Sequence, residues 1–194
     1  MAASAKKRIV ALLRYHPLRQ TMPSLPTDSM EHHMASKPDI DLVAAHKHFS
    51  AWCFNRAWDL IEKPDRTEAD DRLMVALSQA SIYHWMSRPD CTDKNLSVGY
   101  WQASRIQALI GNAQEAMRHA RTCLGFSANL GPFNLGYAYE ALARAAGLTN
   151  DATGMASYLD QAESFARQVS DEEDRQLLAT DLAQLKKAVT PTHR

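Results

Sequence analysis

Residues 100–124 and 139–163 are two versions of one segment, offset by 39 positions. Tyr100 aligns with Tyr139, Ala103 with Leu142 and Ser104 with Ala143. Ala116 then aligns with Met155, Ala120 with Leu159 and Cys123 with Ala162. An aromatic residue opens each first half, small residues follow, and the second half repeats a compact i, i+4, i+7 seam. A repeat of this length is one supersecondary unit that cannot bury its apolar face alone, so neighbouring units must stack.

Within each unit the apolar residues recur at three- and four-residue steps, which is helix spacing. No segment shows a credible period of two. Helix punctuation divides the chain. Pro64 stops a helix carrying Ile40, Val43, Ala44, Phe49, Trp52, Cys53, Leu60 and Ile61. Thr67 is a candidate N-cap for a run with Leu73, Ala76, Leu77, Ala80, Tyr83 and Met86, ended by Pro89. Thr92 caps a third helix through Leu109, and Gly111-Asn112 turns into a fourth over 113–127. Gly131-Pro132 opens a fifth, with Gly147 as a left-handed terminator. Thr149 or Asn150 starts the sixth, and Ser170-x-x-Glu173 forms a capping box for a last helix before Pro191. The chain therefore reads as all-α, with about seven helices whose short loops make neighbours antiparallel.

The stretch Leu109-Ile110-Gly111-Asn112-Ala113-Gln114-Glu115-Ala116-Met117 is similar to the inter-helix turn of the tetratricopeptide repeat. The resemblance covers residues 97–168 well and 40–88 only in outline. Ser104 and Ala143 stand where that family has a first-helix glycine, and Gln107 and Ala146 where it has a tyrosine. The period is also longer than the family's usual length of about 34. Tyr83-His84-Trp85, the run 99–105 and Tyr139-Glu140-Ala141-Leu142-Ala143-Arg144 further resemble uncharacterised bacterial proteins of this type. The resemblance implies an α-α superhelix of antiparallel helix pairs over 39–189, closed by a C-terminal capping helix. Residues 1–38 read as a disordered or misassigned N-terminal extension, with Met30 or Met34 as alternative starts, and 190–194 as a disordered tail. Five basic residues precede any acid there, so an organelle transit peptide is the other reading.

Lys plus Arg equals Asp plus Glu at 22 each. That balance speaks against nucleic acid and against an anionic membrane surface, since both need a basic excess. No apolar run approaches the roughly 20 residues of a membrane span. Cys53, Cys91 and Cys123 are odd in number and widely spaced, which suits a reducing cytoplasm and no disulfide framework. No catalytic or metal motif stands out, and no cofactor is expected.

In tetratricopeptide stacks the first helix of each pair lines a concave groove. Here those positions are Val98, Trp101 and Arg105, then Tyr137, Glu140 and Arg144. The offset makes Arg105 and Arg144 equivalent, so they should lie side by side, flanked by Trp101 and Tyr137. Paired guanidiniums beside aromatic area suit a peptide carboxylate or acidic side chain. The bland counterpart is a Glu140–Arg144 pair that neutralises itself and a Trp101 that is core. The leading expectation is a non-enzymatic protein-protein interaction module that takes a peptide or partner helix. A possible homodimer would use the first pair, 40–88. The alternative is a small helical enzyme or metal-binding protein with a polar pocket around His84, Trp101, His119 and Glu140. Trp52, Trp58 and Trp85 read as core.

Overall fold

The computed structural model describes residues 40–189, so the expectations for 1–38 and 190–194 lie outside the described residues. Seven helices occupy this range: α1 (Leu42–Ile61), α2 (Glu68–Met86), α3 (Asp93–Leu109), α4 (Ala113–Ser127), α5 (Pro132–Leu148), α6 (Ala152–Ala166) and α7 (Glu172–Val189). Among the described residues there is no strand. None of the helices is long and apolar enough to cross a membrane.

Side chains set most of the helix starts. Asp41 accepts from the Ala44 N–H, and Thr67 and Asp70 exchange the two bonds of a capping box. Thr92 and Asn95 do the same for α3, with asparagine in the position usually held by Glu or Gln. Gly131 precedes Pro132 at a φ of +93°, where a side chain would be strained. Two boundaries differ from the sequence reading. Gly147 stays helical, and the left-handed residue is Asn150 at φ +55°. Asp151 rather than Thr149 or Asn150 then caps α6. At α7 the Asp171 carboxylate, not Ser170, receives the Asp174 N–H.

The repeat reappears as matching geometry. Gly111, at φ +79°, is the counterpart of Asn150. The Asn112 N–H bonds the Gln107 carbonyl as the Asp151 N–H bonds that of Ala146. In the α3/α4 pair, Tyr100 stacks on Phe126 at 5.7 Å and lies 5.9 Å from His119. In the α5/α6 pair, Tyr139 stacks on Phe165 at 5.6 Å and lies 6.4 Å from Tyr158. Every member of the second trio is the first shifted by 39 residues.

Consecutive helices pack in sequence order, and α3 also touches α5, and α5 touches α7. At one end α1 reaches α3: the Gln102 amide donates to the Phe54 carbonyl at 3.0 Å. Alanines at 103, 138, 141, 143 and 146 are buried and let these backbones approach closely. A Cβ on Gly136 would fall 2.4 Å from the Leu178 side chain, so the glycine is what lets α7 settle on α5. The core runs through Phe54, Trp58, Met74, Ile106, Leu178 and Leu182, all with essentially no exposure. Each such side chain contributes about 1.5–3 kcal/mol by leaving water.

The first pair corrects the reading of which face is inward. On α2 the buried stripe is Met74, Leu77, Ser78, Ser81, Ile82 and Trp85, whereas Leu73, Tyr83 and Met86 are exposed. The serines make this possible because each hydroxyl finds a carbonyl. Ser81 donates to the Ser50 carbonyl at 2.7 Å and Ser78 to that of Val75 at 2.9 Å. Their small volume draws α2 against α1 at the cost of one apolar position each. On α1, Trp58 is core, but Trp52 is 49 % exposed and Phe49 and Val43 also face outward.

Candidate functional site

The odd-numbered helices share a face on which charged and aromatic residues converge. α1 supplies Trp58, α3 supplies Trp101 and Arg105, α5 supplies Tyr137, Glu140 and Arg144, and α7 supplies Asp181. The rings form a row. Trp58 and Trp101 lie 5.8 Å apart, Trp101 meets Tyr137 edge-on at 5.2 Å, and Phe133 meets Tyr137 at 5.0 Å.

The polar groups are woven through this row. Glu140 is 1 % exposed, and its two oxygens are shared between helices. Oε2 accepts from the Trp101 Nε1 at 3.0 Å, and Oε1 accepts from the Arg144 guanidinium one turn later on α5. Trp101 and Glu140 are themselves equivalent under the 39-residue shift, so this bond joins the two repeats at the same position. The Tyr137 hydroxyl donates to Asp181 Oδ2 at 3.0 Å. A buried carboxylate is tolerable only with such partners.

Arg105 differs from its repeat equivalent. Arg144 is tied to Glu140, while Arg105 makes no ion pair among the described residues. Its guanidinium carbon sits 5.8 Å from the ring centres of both Trp58 and Trp101. Rings at this distance attract a cation through their quadrupoles, by about 0.5–1 kcal/mol each at exposed sites and more when dry. The Arg105 Nε and the Trp58 Nε1 are buried with no hydrogen-bond partner among the described residues. Buried donors of this kind are uncommon in folded proteins.

The charges feel one another. Burial, and then the neighbouring Arg144, lower the Arg105 pKa, against the opposing pull of Glu140 and Asp181. For Arg144 burial works downward, but Glu140 outweighs it and raises the group. Burial, reinforced by Glu140, raises the Asp181 carboxyl despite the nearby arginines. Tyr137 is raised well above its ordinary value by burial and by Asp181. The arrangement is a desolvated cluster in which carboxylate capacity is largely committed and one cation is not.

The five residues singled out from sequence, Trp101, Arg105, Tyr137, Glu140 and Arg144, thus lie in one cluster. Trp101, Tyr137 and Glu140 are buried within it, and Arg105 and Arg144 are partly exposed. Two members escaped the sequence reading. Trp58 reads from the sequence only as core. Asp181 lies on a helix read as a cap, although an acid between Leu178, Leu182 and Leu185 interrupts an apolar seam and is itself a signal.

The alternative polar pocket is not assembled. Trp101 and Glu140 bond each other, but His84 lies against His46, Phe49 and Tyr83 on the first pair. His119 is buried beside Tyr100. Among the described residues no group of three or more His, Cys, Asp or Glu is placed to hold a metal ion. Cys53, Cys91 and Cys123 are free thiols, and burial drives Cys123 up to about 12, far from the range of a reactive thiolate. A cavity of about 20 Å³ at this face, beside Ser97, Val98, Trp101 and Tyr137, is too small for an organic ligand. No protein-family model, curated protein or solved structure matches the chain.

Proposed function

We propose that the chain is a tetratricopeptide-like superhelix and a non-enzymatic interaction module of the cytoplasm. It takes a peptide or partner helix across the face of α1, α3, α5 and α7, and Arg105 anchors an acidic group of that partner. One observation carries this reading. Arg105 lies beside two tryptophan rings, with a buried donor left over and no carboxylate bound, while its repeat equivalent is tied to Glu140. A carboxylate approaching it would find a guanidinium already partly desolvated and oriented, which lowers the ordering cost. The flanking Trp58 and Trp101 supply the aromatic surroundings in which binding energy concentrates.

Fluorescence polarisation tests the reading with a library of acidic peptides, each made with a free and an amidated C-terminus, against the full chain. The expected result is binding by a subset of acidic or free-carboxylate peptides and at least a tenfold loss with Arg105→Gln, about 1.4 kcal/mol. Circular dichroism should show the variant folded. If no acidic peptide binds, or if Arg105→Gln binds as the parent does, the anchor role is wrong.

A further inference from the structure

At the other extreme of the stack, the first pair presents an apolar face that no described residue covers. Leu42, Phe49 and Trp52 of α1 and Leu73, Tyr83 and Met86 of α2 are all exposed, Tyr83 by 61 % and Met86 by 62 %. The rings are continuous. Trp52 meets Phe49 at 6.3 Å, Phe49 meets His84 at 5.5 Å, and His84 meets Tyr83 at 5.3 Å. His46 closes the group, its Nδ1 2.8 Å from that of His84, a hydrogen-bond distance across the α1–α2 seam. Phe49, Trp52 and Tyr83 are thus linked to one another through His84 across the two helices.

Repeat arrays stay soluble by presenting a polar outer surface, and among the described residues the outer face of this pair is instead rich in rings and aliphatic chains. The exposed fractions of the six residues amount to roughly 650 Å², within the ~600–1,000 Å² that each partner brings to a standard-size interface. A two-fold interface sets one patch against its own copy. A charged patch would then repel itself, whereas rings and aliphatic chains are self-complementary. Two antiparallel helices facing their own copies also make a four-helix layer of ordinary packing. We propose that the α1/α2 face is the interface for a second copy of this chain, joined about a two-fold axis.

Sedimentation of the full chain at micromolar concentration should give a species of about 43 kDa, twice the 21.7 kDa of one chain. Trp52→Glu and Tyr83→Glu, each on an exposed position that leaves the core untouched, should each shift it to monomer. Tryptophan quenching by acrylamide gives a second reading, because Trp58, Trp85 and Trp101 are buried and only Trp52 is open. Quenching should be weak in the parent and rise several-fold in Tyr83→Glu. A monomeric parent overturns the proposal, with Trp52 either freely quenched or shielded by residues 1–39. So does a dimer that survives both substitutions. Ala183→Glu, in the groove between α6 and α7, covers head-to-tail assembly, and loss of the dimer there would also overturn it. None of these positions belongs to the Arg105 cluster, so the outcome is independent of peptide binding.

Discussion

The α3/α4 and α5/α6 pairs put their aromatic residues to a different use from the α1/α2 pair. In the two repeats, Tyr100 and Tyr139 are each stacked between helices on Phe126 and Phe165, and the rings are spent inside the pair. In the first pair the seam is closed by Ser50, Ser78 and Ser81, and Phe49, Trp52 and Tyr83 are left outside. The first pair carries six Phe, Tyr and Trp rings, against three in α3/α4 and five in α5/α6. What separates them is which side of the helix the small residues occupy, because the small side is the one that approaches its neighbour.

The largest test of this contrast is within α1 itself. Trp58→Ala should cost about 3–5 kcal/mol, the range for emptying a buried aromatic site. Trp52→Ala, six residues earlier, should stay within about 0.5 kcal/mol for the monomer. Urea denaturation of both, at concentrations below any self-association, measures the difference. Equal costs would mean that Trp52 is covered and that the first pair is built like the others.

A smaller effect sharpens the equivalence of the two repeats. Phe126→Ala and Phe165→Ala each remove one stacked ring from a half-buried site, for about 1–3 kcal/mol. Because their surroundings are superposable trios, the two losses should agree to within about 0.5 kcal/mol. Thermal and urea unfolding provide the comparison. A large gap would show that the repeat is one of sequence more than of energetics.

The smallest expected effect uses the one unmatched member of the trios, His119 against Tyr158. Burial, and then Arg118 beside it, lower the His119 pKa, and Glu115 only partly offsets them. The folded state therefore takes up a proton less readily than the unfolded chain. Stability from this site is present at neutral pH and is lost as pH falls below the unfolded value of about 6.5. His84 is lowered in the same direction, by burial and by His46, and adds to the slope. His119→Tyr, which copies Tyr158, should flatten the fall in unfolding free energy between neutral pH and about pH 5 without erasing it. An unchanged slope would assign the acid sensitivity elsewhere.

Much of the architecture could be read directly from the residues. Thr67, Thr92, Gly111 and Pro132 mark helix starts because their caps and turns are local, and local chemistry is written in adjacent letters. The phase of α2 was not readable in that way. Leu73, Ala76, Ala80 and Tyr83 are as periodic as Met74, Leu77, Ser81 and Trp85, and only the partner helix decides between the stripes. Serine scores as polar, yet a hydroxyl that bonds a carbonyl on its own or the facing helix buries at little cost. The Arg105 cluster was partly visible through the 39-residue shift, which aligns Trp101 with Glu140 and Arg105 with Arg144. It could not reveal Asp181. α7 starts 40 residues after α5, one more than the repeat offset, and the residue that then matches Glu140 is Thr180, not Asp181.

The bonds from Trp101 to Glu140 and from Tyr137 to Asp181 have a consequence beyond the site they line. Each spans two helices that are not consecutive in the chain, first α3 to α5 and then α5 to α7. In a linear array every unit leans only on its neighbours, so the strength of each junction decides whether the ends fray or the whole length melts together. Peeling α7 away would give up the phenol–carboxylate bond together with the apolar burial around it. Opening the next junction would give up the bond from the indole N–H to Glu140 in the same way. These rungs make partial unravelling expensive, and they bind a terminal helix that has no pair of its own into a single cooperative unit.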